Sequence, residues 1–297
     1  MTDTFAAQPL PLDMRLVEPL IAAALAEDAP TGDITANLLI PADAELSVAL
    51  AAREDGVLSG ADVFTGVMHH VDPRTTVEFS VTDGQRFAAG DHLAVIRGNA
   101  RAVLLAERVS LNLLQRMSGI ATTTAAYVAA AGSARSFRGE PVRIVDTRKT
   151  TPGLRLLERY AVRCGGGYNH RNDLSAAVMA KDNHLSLLGT GEELTQQLRA
   201  AKARLGHTIH FEVEIDSLDQ LDAVLAAGVD TIMLDNFSVA ELRAGVERVA
   251  GAAYVEASGG ITLDSIGQIA STGVDVISSG ALTHSVRSLD LGLDALN

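Results

Sequence analysis

The sequence predicts an α/β protein in two parts: a layer of short antiparallel strands with helices, then a parallel α/β barrel. Two patterns point there. Between Leu46 and Arg97 apolar residues alternate, as Leu46, Val48 and Leu50, then Val77, Phe79 and Val81, then Leu93 and Val95. That is the period of half-buried antiparallel strands. After Pro141, apolar runs ending in a polar residue recur at a nearly fixed step: Glu214, Asp235, Glu256 and Ser278 lie 21, 21 and 22 positions apart. A regular strand-helix step with right-handed crossovers closes most simply into a barrel. An open, doubly wound sheet is the alternative, and the missing Gly-rich dinucleotide fingerprint counts against it.

Taken in order, residues 1–13 carry two prolines and no clear period, and read as a loose arm. Met14 to Leu25 places Leu16, Val17, Leu20, Ile21 and Ala24 on one helical face. Glu27 to Thr35 is polar and turn-rich, and reads as a solvated connection. Gly84 and Gly90 mark turns in DGQRFAAGDHLAVIRG, which has the look of a lipoyl-type sandwich module. It lacks the hairpin lysine a carrier needs, so it is read as scaffold. Residues 101–117 switch to a helical period through Leu104, Leu105, Leu111 and Leu114, punctuated by Arg101, Arg108 and Arg116. A second helix, Thr122 to Ala131, is expected after Gly119, with a domain boundary near Ser118.

Strands are then expected at 142–146, 176–180, 208–215, 230–235, 253–257 and 274–278. Ser217 with Gln220, and Ser238 with Glu241, are capping-box pairs opening helices that end at Gly228 and near Gly251. Leu263, Ile266 and Ile269 make a third, closed by Gly273. The domains so defined are 1–118 and 119–283, with residues 284–297 as a C-terminal helix returning to the N-terminal domain.

Composition narrows the function. The chain has 297 residues, 47% apolar and 21% charged, enough for one large core or two modest ones. Its formal net charge of −13 argues against a broad nucleic-acid footprint. No apolar run approaches the roughly 20 residues of a membrane span. The N-terminus lacks the regions of a signal peptide, and the lone Cys164 suits a reducing compartment, so a cytoplasmic location is expected. Cys164 itself reads as an inert small side chain.

Against that acidic background, Asp146 to His184 holds seven Arg or Lys residues and four carboxylates, +3 formally, so the rest sums to −16. Arg148 and Lys149 follow one apolar run and Lys181 another. A cation at the end of a buried strand is costly unless something anionic meets it, and a substrate is a suitable anion. Arg171 can grip a carboxylate with two parallel hydrogen bonds. With His170 it follows Gly165-Gly166-Gly167, a loop glycine-rich enough to fold over a ligand. Period two puts Glu212 and Glu214 on one strand face, and Asp235 ends the next strand. Such acids pair with barrel lysines, hold Mg²⁺, or grip sugar hydroxyls near developing positive charge. Ser258-Gly259-Gly260 and Ser279-Gly280 end the last two strands and suit a phosphate.

The ordered motifs EDAPTGDIT, AERVSLNLLQRMSGIAT, DTRKTTPGLR, GGGYNHR, KDNH, FEVEID, MLDN, EASGGI and SSGALTHS resemble those of the quinolinate phosphoribosyltransferases, decarboxylating enzymes of NAD synthesis. The resemblance runs over nearly the whole chain, with SFRGEP as a variable insertion. It implies an N-terminal α/β sandwich domain and an incomplete parallel α/β barrel of six or seven strands. It implies a homodimer with shared sites, further assembly into hexamers being left open, and Mg²⁺ as cofactor. On this resemblance Arg108 reaches quinolinate from the partner subunit, and Arg148, His170 and Arg171 bind its carboxylates. Lys149 and Lys181 lie between quinolinate and 5-phosphoribosyl 1-diphosphate. Glu214 and Asp235 hold ribose hydroxyls and the metal, directly or through water. Ser258, Gly259, Gly280 and His284 take phosphate.

Three rivals remain at this stage. A same-fold pyrophosphorylase with another aromatic acceptor is disfavoured by Arg148, His170 and Arg171, which together suit a dicarboxylate. A Schiff-base aldolase would use Lys149 or Lys181 as a desolvated amine. A non-catalytic anion-binding barrel would leave three acids facing the cations without a purpose.

Overall fold

The structure, a computed structural model, describes residues 9–296. The arm expected over residues 1–13 therefore lies mostly outside the described residues. Along the chain come α1 (Met14–Asp28), α2 (Ile34–Leu39), β1 (Glu45–Ala52), β2 (Gly56–Val57), α3 (Ala61–Val71), β3 (Thr76–Phe79), β4 (Arg86–Phe87), β5 (His92–Asn99) and α4 (Ala100–Ala131). They are followed by β6 (Arg143–Val145), α5 (Arg155–Cys164), β7 (Val178–Ala180), α6 (Asp182–Leu185), α7 (Gly191–Ala203), β8 (Phe211–Ile215) and α8 (Leu221–Ala226). The last are β9 (Thr231–Asp235), α9 (Val239–Val249), β10 (Tyr254–Ser258), α10 (Ile266–Ala270), β11 (Val276–Ser278), α11 (Ala281–His284) and β12 (Leu291–Ala295).

Two compact units emerge, and neither is continuous in sequence. The first takes residues up to Ala125, Thr151–Gly166 and the chain from Ser285; the second takes Ala126–Thr150 and Gly167–His284. Helix α5 thus belongs with the first unit, inside the range the sequence assigned to the barrel.

The first unit is built on an antiparallel sheet in the order β12-β1-β5-β3. Central β1 pairs on both sides, Leu50 opposite Ala94 and Leu293, and its residues Val48–Ala52 are all buried. The expected alternation therefore understates this strand, because a central strand covered on both faces is apolar at successive positions. Gly84 and Gly90 adopt φ of 88° and 90°, the left-handed turn geometry that glycine takes without strain. Helix α1 buries Val17, Ile21 and Leu25, an i, i+4, i+8 stripe, and leaves Leu16 64% exposed. The buried face is thus narrower than predicted. The loop expected to reach Thr35 ends sooner, because the Asp33 carboxylate accepts the Thr35 and Ala36 N–H groups and starts α2.

Two expectations fail here for identifiable reasons. Gly119 does not break the helix: α4 runs through it for 32 residues. A Cβ at Gly119 would sit 2.3 Å from the Arg287 carbonyl oxygen, so the glycine serves a close backbone crossing. The C-terminal segment returns to this unit as strand β12, not as a helix. Leu289, Leu291 and Leu293 alternate with Asp290, Gly292 and Asp294, and Leu289 and Leu291 are buried. Period two was the correct reading.

The second unit is a six-stranded parallel sheet in the order β6-β11-β10-β9-β8-β7. Five strands fall within their predicted windows and are shorter by one to three residues, while β10 is shifted by one residue, starting at Tyr254 and ending at Ser258 rather than at 257. Beyond β6 the chain at Tyr168 forms a single parallel bridge to Val145, so the sheet extends past that edge without a further full strand. Ser238 and Glu241 make the predicted capping box, each side chain accepting the other's backbone N–H. Ser217 and Gln220 do not: their side chains accept the Asp219 and Asp216 N–H groups in the turn before α8. Among the described residues no helix is long and apolar enough to cross a membrane.

Candidate active site

The C-terminal ends of the six parallel strands surround a pocket of about 370 Å³. After β6 come Thr147, Arg148 and Lys149, and after the Tyr168 bridge His170 and Arg171. Strand β7 gives Met179 and is followed by Lys181; β8 gives Glu214, β9 Met233 and Asp235, β10 Ser258, and β11 Ser278. The strand ends are where a parallel barrel presents reactive groups. Register sets the levels. Glu214 and Glu256 both pair with Met233, and Ser258 pairs with Asp235, so Asp235 and Ser258 stand one side-chain step above the glutamates.

One wall is cationic. Burial, and next the neighbouring Arg148 cation, hold Arg171 below the ordinary guanidinium range. Its Nη1 donates to the Ala177 carbonyl at 3.0 Å. Arg148 Nε is buried and has no hydrogen-bond partner among the described residues. Two guanidiniums close enough to disfavour each other, one with an unused donor, call for an anion between them. The Lys149 main chain is fixed by Thr283, fully buried, whose Oγ1 donates to the Lys149 carbonyl at 2.8 Å. The opposite wall is acidic. Lys181 Nζ donates to Glu214, and the Lys181 N–H donates to His184 Nδ1 at 3.1 Å. Asp235 accepts from Asn236 Nδ2 at 2.7 Å.

Beneath the cations lie three buried acids. Asp146 Oδ1 accepts the His170 N–H at 2.8 Å, and its Oδ2 accepts from Asn169 Nδ2 at 2.6 Å. His170 Nε2 lies 3.2 Å from Glu212 and 3.5 Å from Glu256, each of them 3% exposed. Burial works against charge on His170, while hydrogen bonds to Glu212 and Glu256 outweigh it, so the cluster as a whole holds its protons above the ordinary imidazole range. The Arg171 N–H decides which nitrogen holds the proton. It donates to Nδ1 at 2.7 Å, so Nδ1 is an acceptor and the ring is protonated on Nε2. The second proton the cluster attracts then belongs to the carboxyl pair, where burial and next Glu256 raise Glu212. His170, Glu212 and Glu256 offer donor atoms within 4.8 Å of one another, the spacing of a metal site. A neutral imidazole has one lone pair, however, and Nδ1 has spent it, so Nε2 is a poor ligand. Glu214 and Asp235, carboxylates on the pocket wall, are the better match to a hard divalent cation.

The pocket thus brings together Arg148, Lys149, His170, Arg171, Lys181, Glu214, Asp235 and Ser258 from the predicted set. Gly259 and Gly280 stand beside it for steric reasons. Gly259 has φ 88°, and a Cβ there would meet Asn236 Oδ1 at 2.3 Å; a Cβ at Gly280 would meet the His284 ring and Lys149 Cδ at 2.8–2.9 Å. Arg108 is exposed on α4, in the first unit. The glycines before His170 are not a flap. Gly165 is buried, a Cβ there meeting the Ala121 carbonyl at 2.4 Å, and Gly166 turns the chain at φ 83°. Sequence reasoning missed Thr147, Met179 and Met233 as lining residues, and Asn236, His184 and Thr283 as supports. The motifs MLDN, KDNH and SSGALTHS contained the last three without showing what they touch.

Comparison with known proteins agrees with this geometry. A family model described as the quinolinate phosphoribosyl transferase N-terminal domain matches residues 33–118, and its C-terminal-domain counterpart matches residues 120–294. The nicotinate-nucleotide pyrophosphorylase (carboxylating) of Mycobacterium leprae is 44% identical over 280 residues, covering 92% of this chain and 95% of that protein. Quinolinate phosphoribosyltransferase (decarboxylating) 1b of Nicotiana tabacum is 40% identical over 294 residues, covering 92% and 81%. The crystal structure of NadC from Streptococcus pyogenes superposes with a TM-score of 0.89 at 41% identity, covering 97% of this chain and all of that one. The chain belongs to the quinolinate phosphoribosyl transferase family.

Proposed function

We infer that the protein transfers the phosphoribosyl group of 5-phosphoribosyl 1-diphosphate to quinolinate, releasing pyrophosphate and CO₂ and leaving nicotinate mononucleotide. The observation that carries this is the crowding of Arg171 by Arg148 above a floor of buried acids, a site whose repulsion a dicarboxylate relieves. In this reading Arg148 and Arg171 grip quinolinate. Lys149 and Lys181, on either side of the pocket, neutralise both substrates. Ser258, Gly259, Gly280 and His284 receive phosphate, and Glu214 and Asp235 face the ribose. His170, assigned to a quinolinate carboxylate by resemblance, already has both ring nitrogens engaged with protein groups, so its contact with substrate is through the ring face or a C–H edge.

Departure of pyrophosphate leaves positive charge on the ribose ring, which Glu214 and Asp235 are placed to stabilise. The pyridine nitrogen bonds to the anomeric carbon and becomes a pyridinium. Its charge then stabilises the carbanion left as the adjacent carboxylate departs as CO₂, and a proton fills that position. Apart from this electrostatic work the protein holds two anions in line. The carboxylate donor set fits Mg²⁺, which supplies neutralisation of the diphosphate. A homodimer in which the partner's α4 supplies Arg108 accords with the exposure of that residue, and the lone, buried Cys164 accords with a cytoplasmic setting.

The test is turnover. Purified protein with quinolinate, 5-phosphoribosyl 1-diphosphate and Mg²⁺ is expected to form nicotinate mononucleotide and CO₂ in equal amounts, while nicotinate in a parallel reaction forms none. Consumption of 5-phosphoribosyl 1-diphosphate only with a different aromatic acid would reassign the acceptor.

A further inference from the structure

Below the pocket, the ring of His170 links two groups that the catalytic reading does not use to one that it does. Glu212 and Glu256 come from adjacent layers of β8 and β10, are buried to 3% exposure, and converge on Nε2 at 3.2 and 3.5 Å. On the other side of the ring, Nδ1 accepts the Arg171 N–H at 2.7 Å. The main chain of the same segment is held by Asp146, fully buried, through the His170 N–H at 2.8 Å. A main-chain N–H only donates, so Nδ1 accepts from Arg171; the ring proton is then on Nε2, which faces Glu212 and Glu256 as the donor.

We propose that Glu212 and Glu256 are positioning residues that act through His170 to fix the backbone of Arg171, and thereby the angle at which its guanidinium meets a substrate carboxylate. The inference rests on the reading of Arg171 as a quinolinate ligand. It assigns no contact with substrate to either glutamate. A guanidinium presents two parallel N–H groups usefully only over a narrow range of angles, and that angle depends on the backbone from which Arg171 branches as well as on the bond its Nη1 donates to the Ala177 carbonyl. The ring acts as a rigid spacer: its two nitrogens lie on opposite sides, so a displacement at the Glu212 and Glu256 end is passed on at Arg171.

The experiment is steady-state kinetics on the full-length protein with both substrates varied, wild type first. Failure of the wild type to use quinolinate would overturn the reaction assigned above; everything that follows presupposes that it succeeds. Glu256→Leu, which removes the acceptor while keeping much of the volume, is expected to raise the quinolinate KM about tenfold and to leave the 5-phosphoribosyl 1-diphosphate KM within about twofold. Glu256→Gln keeps an oxygen that can accept from Nε2 and is expected to restore most of the loss. The effect of Glu256→Leu is expected to disappear in an Arg171→Ala background, because the two act in series. Equal rises in both KM values, no rescue by Gln, or full additivity with Arg171→Ala would overturn the proposal. Should Glu256→Leu fail to fold, ¹⁵N spectra of the wild-type imidazoles, with the His170 signal assigned by its loss in His170→Asn, decide it. A proton on Nε2 and none on Nδ1 is expected; a proton on Nδ1 would break the relay.

Discussion

Asn236 sits at φ 62°, in the left-handed region, and from there donates its side-chain amide to Asp235 at 2.7 Å. Its own N–H donates to the Ser258 carbonyl at 2.9 Å, tying the end of β9 to the end of β10. Asparagine tolerates this conformation better than most residues, so one side chain accepts the backbone geometry and orients the acid. The two roles separate by substitution. Asn236→Gly keeps the backbone and loses the amide, so kcat is expected to fall about tenfold with little change in Tm. Asn236→Ala adds the left-handed penalty of about 1–2 kcal/mol and is expected to lower Tm as well. Equal Tm values for the two variants would refute the account.

The two ends of the pocket are expected to respond to different substrates. Arg171→Ala removes charge-assisted hydrogen bonds of about 1.5–3 kcal/mol, so the quinolinate KM should rise about 10- to 150-fold and the 5-phosphoribosyl 1-diphosphate KM far less. Gly280→Ala places a methyl 2.8–2.9 Å from the His284 ring and Lys149 Cδ, forcing both aside. These are movable side chains, so the protein should fold, with the larger KM change on the phosphoribosyl side. A variant affecting both KM values alike would detach that residue from its assigned substrate.

Glu214→Ala should act on kcat. Glu214 lines the pocket at 13% side-chain exposure and is paired with Lys181, so its removal takes the negative charge from the wall assigned to the ribose in the proposed function. A loss of about 100-fold in kcat is expected for a group working by preorganised electrostatics. An unchanged kcat under saturating substrates would remove Glu214 from the chemical step.

How far the sequence revealed this depends on whether each feature is local. Lys149, Lys181, Glu214, Asp235 and Ser258 were legible because each ends or follows an apolar run, and strand ends face one side of a barrel. The antiparallel layer was legible from its alternation, and Leu289, Leu291 and Leu293 carry the same period two into β12. Gly119 and Gly165 misled, because what they accommodate, the carbonyls of Arg287 and Ala121, is distant or on another helix. Glu212 and Glu256 gave no sign of their common target: they are 44 positions apart, and only the sheet brings both to His170.

The first unit contains a buried ion pair with a large expected cost of removal. Glu158, fully buried, accepts from Arg116 Nη2 at 2.8 Å and Nε at 3.2 Å, and its other oxygen accepts the Thr151 N–H at 3.1 Å. Removing one partner of such a pair costs about 3–5 kcal/mol, because the remaining charge was solvated by the lost one. Glu158→Ala should therefore shift the denaturant midpoint strongly downward. The double variant Glu158→Leu with Arg116→Met should recover much of the loss, since neither charge then remains to be compensated. A shift below about 1 kcal/mol would mean that the pair behaves as a surface one.

Cys164 packs with Val57 and Ala121 in the core of the first unit, with Ala125 and Tyr160 against it. Burial pushes its thiol up to about 12. The thiolate is the nucleophile, so at pH 8 the folded protein offers iodoacetamide neither the reactive form nor access. Labelling should be negligible in the native protein over hours and complete within minutes in denaturant. The same shift bears on stability. Below about pH 9 both states hold the proton and the contribution is fully present. Between about 9 and 12 the unfolded chain releases the proton while the folded one keeps it, so stability falls as pH rises through that window. Cys164→Ala should flatten that part of the pH profile, and an unaltered slope would show that other groups govern it.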